Sequence, residues 1–216
     1  HPDDEFLGCG GTVLRWVGEG ARVRSIIVST GAMAREGAKK SDVIGLQRAA
    51  RTLAKKAGML PPIFLNLPDN RLDSLDRLTL IRLLESVLKS KQVDSPDTVL
   101  THWPYDLNVD HRRVAEAVLV ATRPAVSCVE SVLFFEMPSS TEWNFGSTPF
   151  SPNVYVQLLE SQMENKLALL RVAYDSELHS ERHPRSLAYV KALAFVRGNQ
   201  AGSTYAEAFS LARGIF

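Results

Sequence analysis

His1-Pro2-Asp3-Asp4-Glu5 opens the chain and decides how the rest of it is read. One imidazole and three carboxylates fall within five residues, stiffened by a proline. On an exposed loop so many acids would repel one another. Gathered around a cation they make chemical sense. Neutral imidazole and carboxylate are both good ligands for a borderline divalent ion such as Zn²⁺. A charge of +2 also reverses the penalty for placing a second carboxylate nearby. The remaining acid can then take a proton from the water that such an ion activates. The plainer alternative is a charged turn with Pro2 at its corner, and these five residues alone do not decide between the two.

A second cluster does. Asn108-Val109-Asp110-His111 precedes an apolar periodic run of Val114, Ala115, Val118 and Ala121. Positions 111, 114, 115 and 118 share one helical face, so His111 is expected at the start of a helix, pointing inward. A lone histidine there is more often a satisfied core residue, and Asp110 alone would be an ordinary helix cap. Together, though, His1, Asp4 and His111 supply three protein ligands. That is the number a catalytic zinc site uses while leaving a position for water. The mixed N/O donor set suits Zn²⁺ and would accept Fe²⁺ or Co²⁺. It lacks the all-oxygen shell that Ca²⁺ or Mg²⁺ prefers.

Both clusters, and what lies between them, resemble the PIG-L/LmbE-like family of metal-dependent de-N-acetylases. The resemblance rests on HPDDE followed by Gly8-Cys9-Gly10-Gly11-Thr12, and on the later Asp106-Leu107-Asn108-Val109-Asp110-His111. It continues through Leu67-Pro68-Asp69-Asn70-Arg71, Pro138-Ser139-Ser140-Thr141-Glu142-Trp143, His183-Pro184-Arg185-Ser186 and Tyr205-Ala206-Glu207-Ala208-Phe209. It implies hydrolysis of an N-acetyl group on a small amino-sugar conjugate of N-acetylglucosaminyl type. His1, Asp4 and His111 would hold the metal, Asp3 would be the general base, and Asp110 would support the ligands from behind. Many relatives place a His where Asn108 stands. An amide can donate to an oxyanion but cannot become cationic, so Asn108 is expected to orient or bind rather than transfer protons. Relatives also often carry an Arg followed shortly by Glu in an early helix. Here Arg48 is present, but Ala49 stands near the place of the Glu, so Arg48 reads either as a sugar-binding residue, as the resemblance implies, or as part of a solvated helix face.

Other classes fare worse. The first glycines suggest a dinucleotide fingerprint, but the third glycine of G-x-G-x-x-G would fall at Val13. No acid ends the following strand to hold a ribose. A formal charge of +1 gives no electrostatic case for nucleic acid or an anionic membrane. No apolar run reaches membrane-spanning length. Cys9 and Cys128 are too few for a disulfide framework, so reduced thiols and a cytoplasmic setting are expected. A homo-oligomer stays open. Two rival functions also stay open: a metal-dependent amidase acting on a non-sugar amide, and a carbohydrate-binding protein that retains its metal without catalysis. Because the first residue is His, the chain is expected to begin inside a longer protein, and the family resemblance implies an apolar strand just before it.

Along the chain, β-branched runs and amphipathic periods alternate. Strands are expected over residues 23–30, 63–67, 98–101, 129–136 and 153–158. Helices are expected over 42–58, 75–89, from 111, over 160–174 and from 184. The glycine stretch should be a loop leading into a first helix that ends at Gly20. Residues 31–41 read as a loop over the site, and 138–153 as an irregular excursion. Asp69 and Arg71 follow a strand, where open α/β sheets place ligand loops, so they read as sugar-binding candidates beside the alternative of a simple turn. His183 and Arg185 read either as a local cap and a surface residue or as substrate-binding residues. His102 reads as a strand-end core histidine. Strand–helix alternation implies one α/β domain over 1–216, a three-layer sandwich around a mostly parallel, Rossmann-like sheet.

Overall fold

The computed structural model describes residues 1–93, 95–124, 126–146 and 148–215. The chain divides into two compact units, each built from two segments. The first comprises His1–Asp69 and Tyr155–Ala208, the second Asn70–Val154 and Phe209–Phe216.

In the first unit, α1 (Asp4–Gly18) and α2 (Lys40–Lys56) both pack on α5 (Glu160–Tyr174), and α6 (Leu187–Gln200) also meets α5. The strands β1 (Ile26–Ser29) and β2 (Ile63–Leu67) pair in parallel, with Ile26 opposite Ile63 and a shift in register before Ser29. Their C-terminal ends deliver the loop after Ser29 and, after Leu67, Asp69. The strand β5 (Val154–Leu158) lies hydrogen-bonded beside β6 (Tyr205–Arg213), whose first four residues belong to this unit. Met163, Lys166 and Leu170 of α5 are buried, and Lys166 reaches Leu7 C=O of α1.

The second unit pairs β3 (Thr98–His102) in parallel with β4 (Ser131–Phe135) in unbroken register, and β4 antiparallel with the later part of β6. The helices α3 (Arg77–Leu88) and α4 (Val109–Ala121) pack together, and α4 lies on β3. Trp103, Ala115 and Phe134 form a core cluster against which Phe150 packs. The excursion at 138–153 is irregular as expected in its described residues, Ser147 lying outside them.

Three expectations need correction. The strand pairing is mixed and, among the described residues, falls into two sheets: β1–β2 and β3–β4 are parallel, but β6, which was not foreseen as a strand, runs antiparallel to β4 in the sheet ordered β3-β4-β6-β5. The first helix starts at Asp4, not after the glycines, so Gly8-Cys9-Gly10-Gly11 is helical with a break at Cys9 (φ −141°, ψ 20°). A Cβ on Gly10 would sit 2.7 Å from the Phe6 ring, so the stretch is small in order to pack closely, not to be flexible. Helix α6 begins at Leu187 with the Ser186 hydroxyl accepting from Tyr189 N–H, which leaves Pro184 ahead of the helix. Elsewhere α5 and β2 fall on their expected residues. Gly20, at φ +94°, closes α1 as Ala21 N–H reaches back to Trp16 C=O. Among the described residues no helix is long and apolar enough to cross a membrane.

Candidate active site

In the first unit the opening five residues fold into the start of α1. Asp3 stands at its N-cap with φ 103°, a conformation that a non-glycine residue adopts only when its surroundings hold it there. Its side chain is 1% exposed. One carboxylate oxygen, Oδ2, accepts from the Arg185 guanidinium. The other, Oδ1, is buried and meets no hydrogen-bond partner among the described residues. Burial pushes the Arg185 guanidinium down to about 10, which leaves it charged at neutral pH beside its carboxylate partner.

His1 lies between two carboxylates of the same unit. Its Nδ1 is 3.1 Å from Asp4 Oδ2, and its Nε2 is 3.2 Å from Asp69 Oδ1. Asp69 also accepts from Ala34 N–H at 2.9 Å, which ties the loop after β1 to the end of β2. Burial pushes Asp69 up, but the His1 imidazole, the Ala34 N–H and nearby Arg35 outweigh it and hold the carboxyl below its ordinary value. Arg35 in turn forms a fork with Glu177. Behind Asp3, the Glu5 carboxylate accepts from Asp3 N–H at 2.9 Å and from the Tyr174 hydroxyl at 2.8 Å. Burial pushes Glu5 up to about 7, against the pull of that hydroxyl.

In the second unit His111 sits in the first turn of α4 with its side chain buried, 3% exposed. Its Nδ1 is 3.1 Å from Asp106 Oδ1, and its ring stacks on His102 at 4.0 Å. In neutral imidazole a nitrogen facing a carboxylate carries the proton, which makes Nε2 the unprotonated nitrogen. Asp106 also accepts from Thr141 Oγ1 (2.7 Å), Asn108 N–H (2.9 Å) and Ser140 Oγ (3.1 Å). Burial pushes this acid up. The His111 contact and these donors prevail and hold it low.

Asn108 is the N-cap of α4, its Oδ1 accepting from Asp110 N–H at 2.8 Å, while its amide donates to Asn70 Oδ1 at 3.1 Å. Asp110 accepts from the backbone of Asn70 (2.7 Å) and Leu72 (2.9 Å), so it fixes the loop that follows β2. His183 Nδ1 accepts from Arg185 N–H at 3.0 Å and stacks on His179. Arg48 is exposed on α2, and Arg71 is exposed ahead of a short 3₁₀ turn. Neither belongs to the hydrogen-bonded groups just described. Three further residues take part to which the sequence assigned no separate role, Asp106, Glu5 and Tyr174. Asp106 was visible only as one more acid in the loop before His111.

The fold is α/β, with imidazole and carboxylate groups at helix starts and strand ends. The chain belongs to the PIG-L family: the family model described as GlcNAc-PI de-N-acetylase matches residues 1–122. Among curated relatives it is 29% identical over 174 residues to the uncharacterized deacetylase YaiS of Escherichia coli, covering 79% of this chain and 85% of that one. It is 27% identical over 231 residues to the diacetylchitobiose deacetylase of Thermococcus kodakarensis, covering 100% and 82%. Its fold is similar to that of the N,N'-diacetylchitobiose deacetylase from Pyrococcus horikoshii, solved with an inhibitor. The TM-score is 0.77 at 21% identity, covering 99% of this chain and 81% of that one.

Proposed function

We propose that this protein is a metal-dependent hydrolase that removes an N-acetyl group from an amino-sugar conjugate, releasing acetate and a free amine. His1, Asp4 and His111 are assigned as the metal ligands and Asp3 as the general base. The observation that carries the reading is the state of Asp3. It is buried, held at a positive φ, engaged through one oxygen by Arg185, and open at the other oxygen. A purely structural acid would satisfy both oxygens, because an unpaired buried acceptor is costly. The oxygen that Arg185 leaves without a partner is the one assigned to accept the proton.

The donor chemistry fits Zn²⁺, with Fe²⁺ or Co²⁺ also accepted. His1 already faces carboxylates, and His111 has its Nδ1 committed to Asp106, so that Nε2 can ligate. When bound, such an ion supplies a Lewis acid for the acetamide carbonyl and lowers the pKa of water. Asp3 Oδ1 takes the proton from the attacking water and returns it to the leaving nitrogen as the C–N bond breaks. Arg185 holds Asp3 in place and balances its charge. The Asn108 amide is assigned to the developing oxyanion, with Asp69, Arg71, His183 and Arg48 as residues that bind the sugar. In this assignment Arg185 serves through Asp3 as well as through substrate, and Asp110 supports the loop beside the ligands.

Acetate release measured by mass spectrometry across N-acetylated sugars, N-acetylated thiol conjugates and acetylated peptides tests the reading. Acetate from sugars is expected. Acetate from the other amides alone would favour a non-sugar amidase. Zinc and sugar binding without any acetate would favour a carbohydrate-binding protein that has lost catalysis. Asp3→Asn should lower turnover by about 10²–10⁴-fold with metal content unchanged. Unchanged turnover would remove Asp3 from the role.

A further inference from the structure

The break in α1 at Cys9 is filled by an ion pair. In a regular helix Gly11 N–H would donate to Leu7 C=O. Here Gly11 N–H donates to Glu207 Oε1 at 2.8 Å, and Leu7 C=O accepts from Lys166 Nζ at 2.8 Å. Lys166 and Glu207 meet each other at 2.6 Å, and Thr12 N–H donates to Glu207 Oε2 at 2.6 Å. A lysine and a glutamate, 2% and 6% exposed, are therefore inserted between two halves of one helix. The cation caps the C-terminal end of the first half, and the anion caps the N-terminal end of the second. Each sign matches the dipole it faces. Gly11 makes the approach possible: a Cβ there would stand 3.0 Å from Glu207 Oε1 and 2.4 Å from Leu158 Cδ1.

The first half, residues 4–8, is little more than one turn. A segment so short cannot hold its own direction. Yet it carries Asp4 and Glu5 and follows directly on Asp3. Its direction is imposed from α5, at Leu7 by Lys166 and at Glu5 by the Tyr174 hydroxyl. Generic helix packing would need neither a buried lysine nor a buried glutamate. We infer that Lys166 and Glu207 are positioning residues: by holding the break at Cys9 they set the aim of the Asp3 and Asp4 carboxylates. This rests on the metal-dependent reading proposed above.

The test is the zinc dissociation constant of the full chain, measured by competition with a chromogenic chelator, together with circular dichroism and thermal melting. Lys166→Met/Glu207→Gln removes both charges and leaves an amide oxygen for the helix N–H groups. Leu170→Ala, a fully buried core change on the same helix, serves as the comparison for general softening. The folded double variant is expected to bind zinc about 10–100-fold more weakly, the range seen when groups that orient metal ligands are removed. Leu170→Ala should stay within about twofold of wild type. Wild-type affinity in the double variant, or an equal loss in Leu170→Ala, overturns the inference. If the double variant does not fold, Glu207→Gln alone is judged by the same comparison. If that also fails to fold, the pair is a folding requirement and the positioning role is overturned. A wild-type chain that binds no zinc refutes the metal-dependent reading itself, and the inference with it.

Discussion

The Arg185 guanidinium donates to the Asp3 carboxylate, joining the segment ahead of α6 to the N-cap of α1 across 182 positions of sequence. An arginine that serves a buried carboxylate differs from one that only meets substrate. Removing it leaves a charge in the interior without its counter-ion, which costs about 3 kcal/mol or more. Arg185→Met should therefore destabilise strongly. Asp3→Asn in the same chain should restore part of that loss, because no charge is then stranded. A double-mutant cycle by chemical denaturation is expected to give a coupling of about 1–3 kcal/mol. Strict additivity of the two changes would mean that the contact carries no stability.

Asp106 gathers His111, Ser140, Thr141 and the Asn108 N–H around one carboxylate. Asp106→Asn keeps the shape but loses the charge that fixes which His111 nitrogen carries the proton. If His111 is a ligand, zinc affinity should drop about 10–100-fold while the chain stays folded. Isothermal titration of zinc into the apo variant reads this directly. Unchanged affinity would make Asp106 a loop organiser only.

Much of this was legible in the sequence, and the misses share a cause. His111 could be placed at a buried helix start because Val114, Ala115 and Val118 repeat on its face, and it lies there. The Gly8–Gly11 stretch was read as a loop because glycine disfavours helix. What overrides that preference is an ion pair from Lys166 and Glu207, 155 or more positions away. The strand β6 was missed for the same reason. A glutamate in Tyr205-Ala206-Glu207-Ala208-Phe209 does not look like the middle of a buried strand until its lysine is found. The assignment of Asp3 as base and Asp4 as ligand came only from the family resemblance. The positive φ of Asp3 and its Arg185 partner are tertiary facts that no local pattern encodes.

Glu5 makes the metal-free protein sensitive to pH. Its ordinary value is 4.5, and burial raises it to about 7, with Asp4 adding a little and Tyr174 opposing. Between those values the folded form binds more protons than the unfolded one, so stability falls as pH rises from about 4.5 to about 7 and then levels off. The full effect of such a shift is about 3 kcal/mol. Chemical denaturation of chelator-treated protein at pH 5 and pH 8 should show this decline superimposed on the response of the other groups. Glu5→Gln should flatten it. An identical decline in the variant would assign the pH dependence elsewhere.

Asn108 has two separable duties. Its Oδ1 caps α4 by accepting from Asp110 N–H, and its Nδ2 donates to Asn70 and is the group assigned to the oxyanion. Alanine would remove both and could not tell them apart. Aspartate is an equally good N-cap, so Asn108→Asp should keep the helix start and change stability by less than about 1 kcal/mol. It has no amide hydrogen, however, and it brings a negative charge to the place where negative charge develops. Turnover should then fall by about 10²–10³-fold, the loss typical of a missing oxyanion donor. Asn108→Ser, which keeps a cap and a weaker donor, should fall between Asp and wild type. The measurement is steady-state acetate release at matched zinc occupancy, with thermal melts of each variant alongside. Full activity in Asn108→Asp would reduce Asn108 to a helix cap, and a collapse in melting temperature would show that the cap cannot be preserved by that exchange.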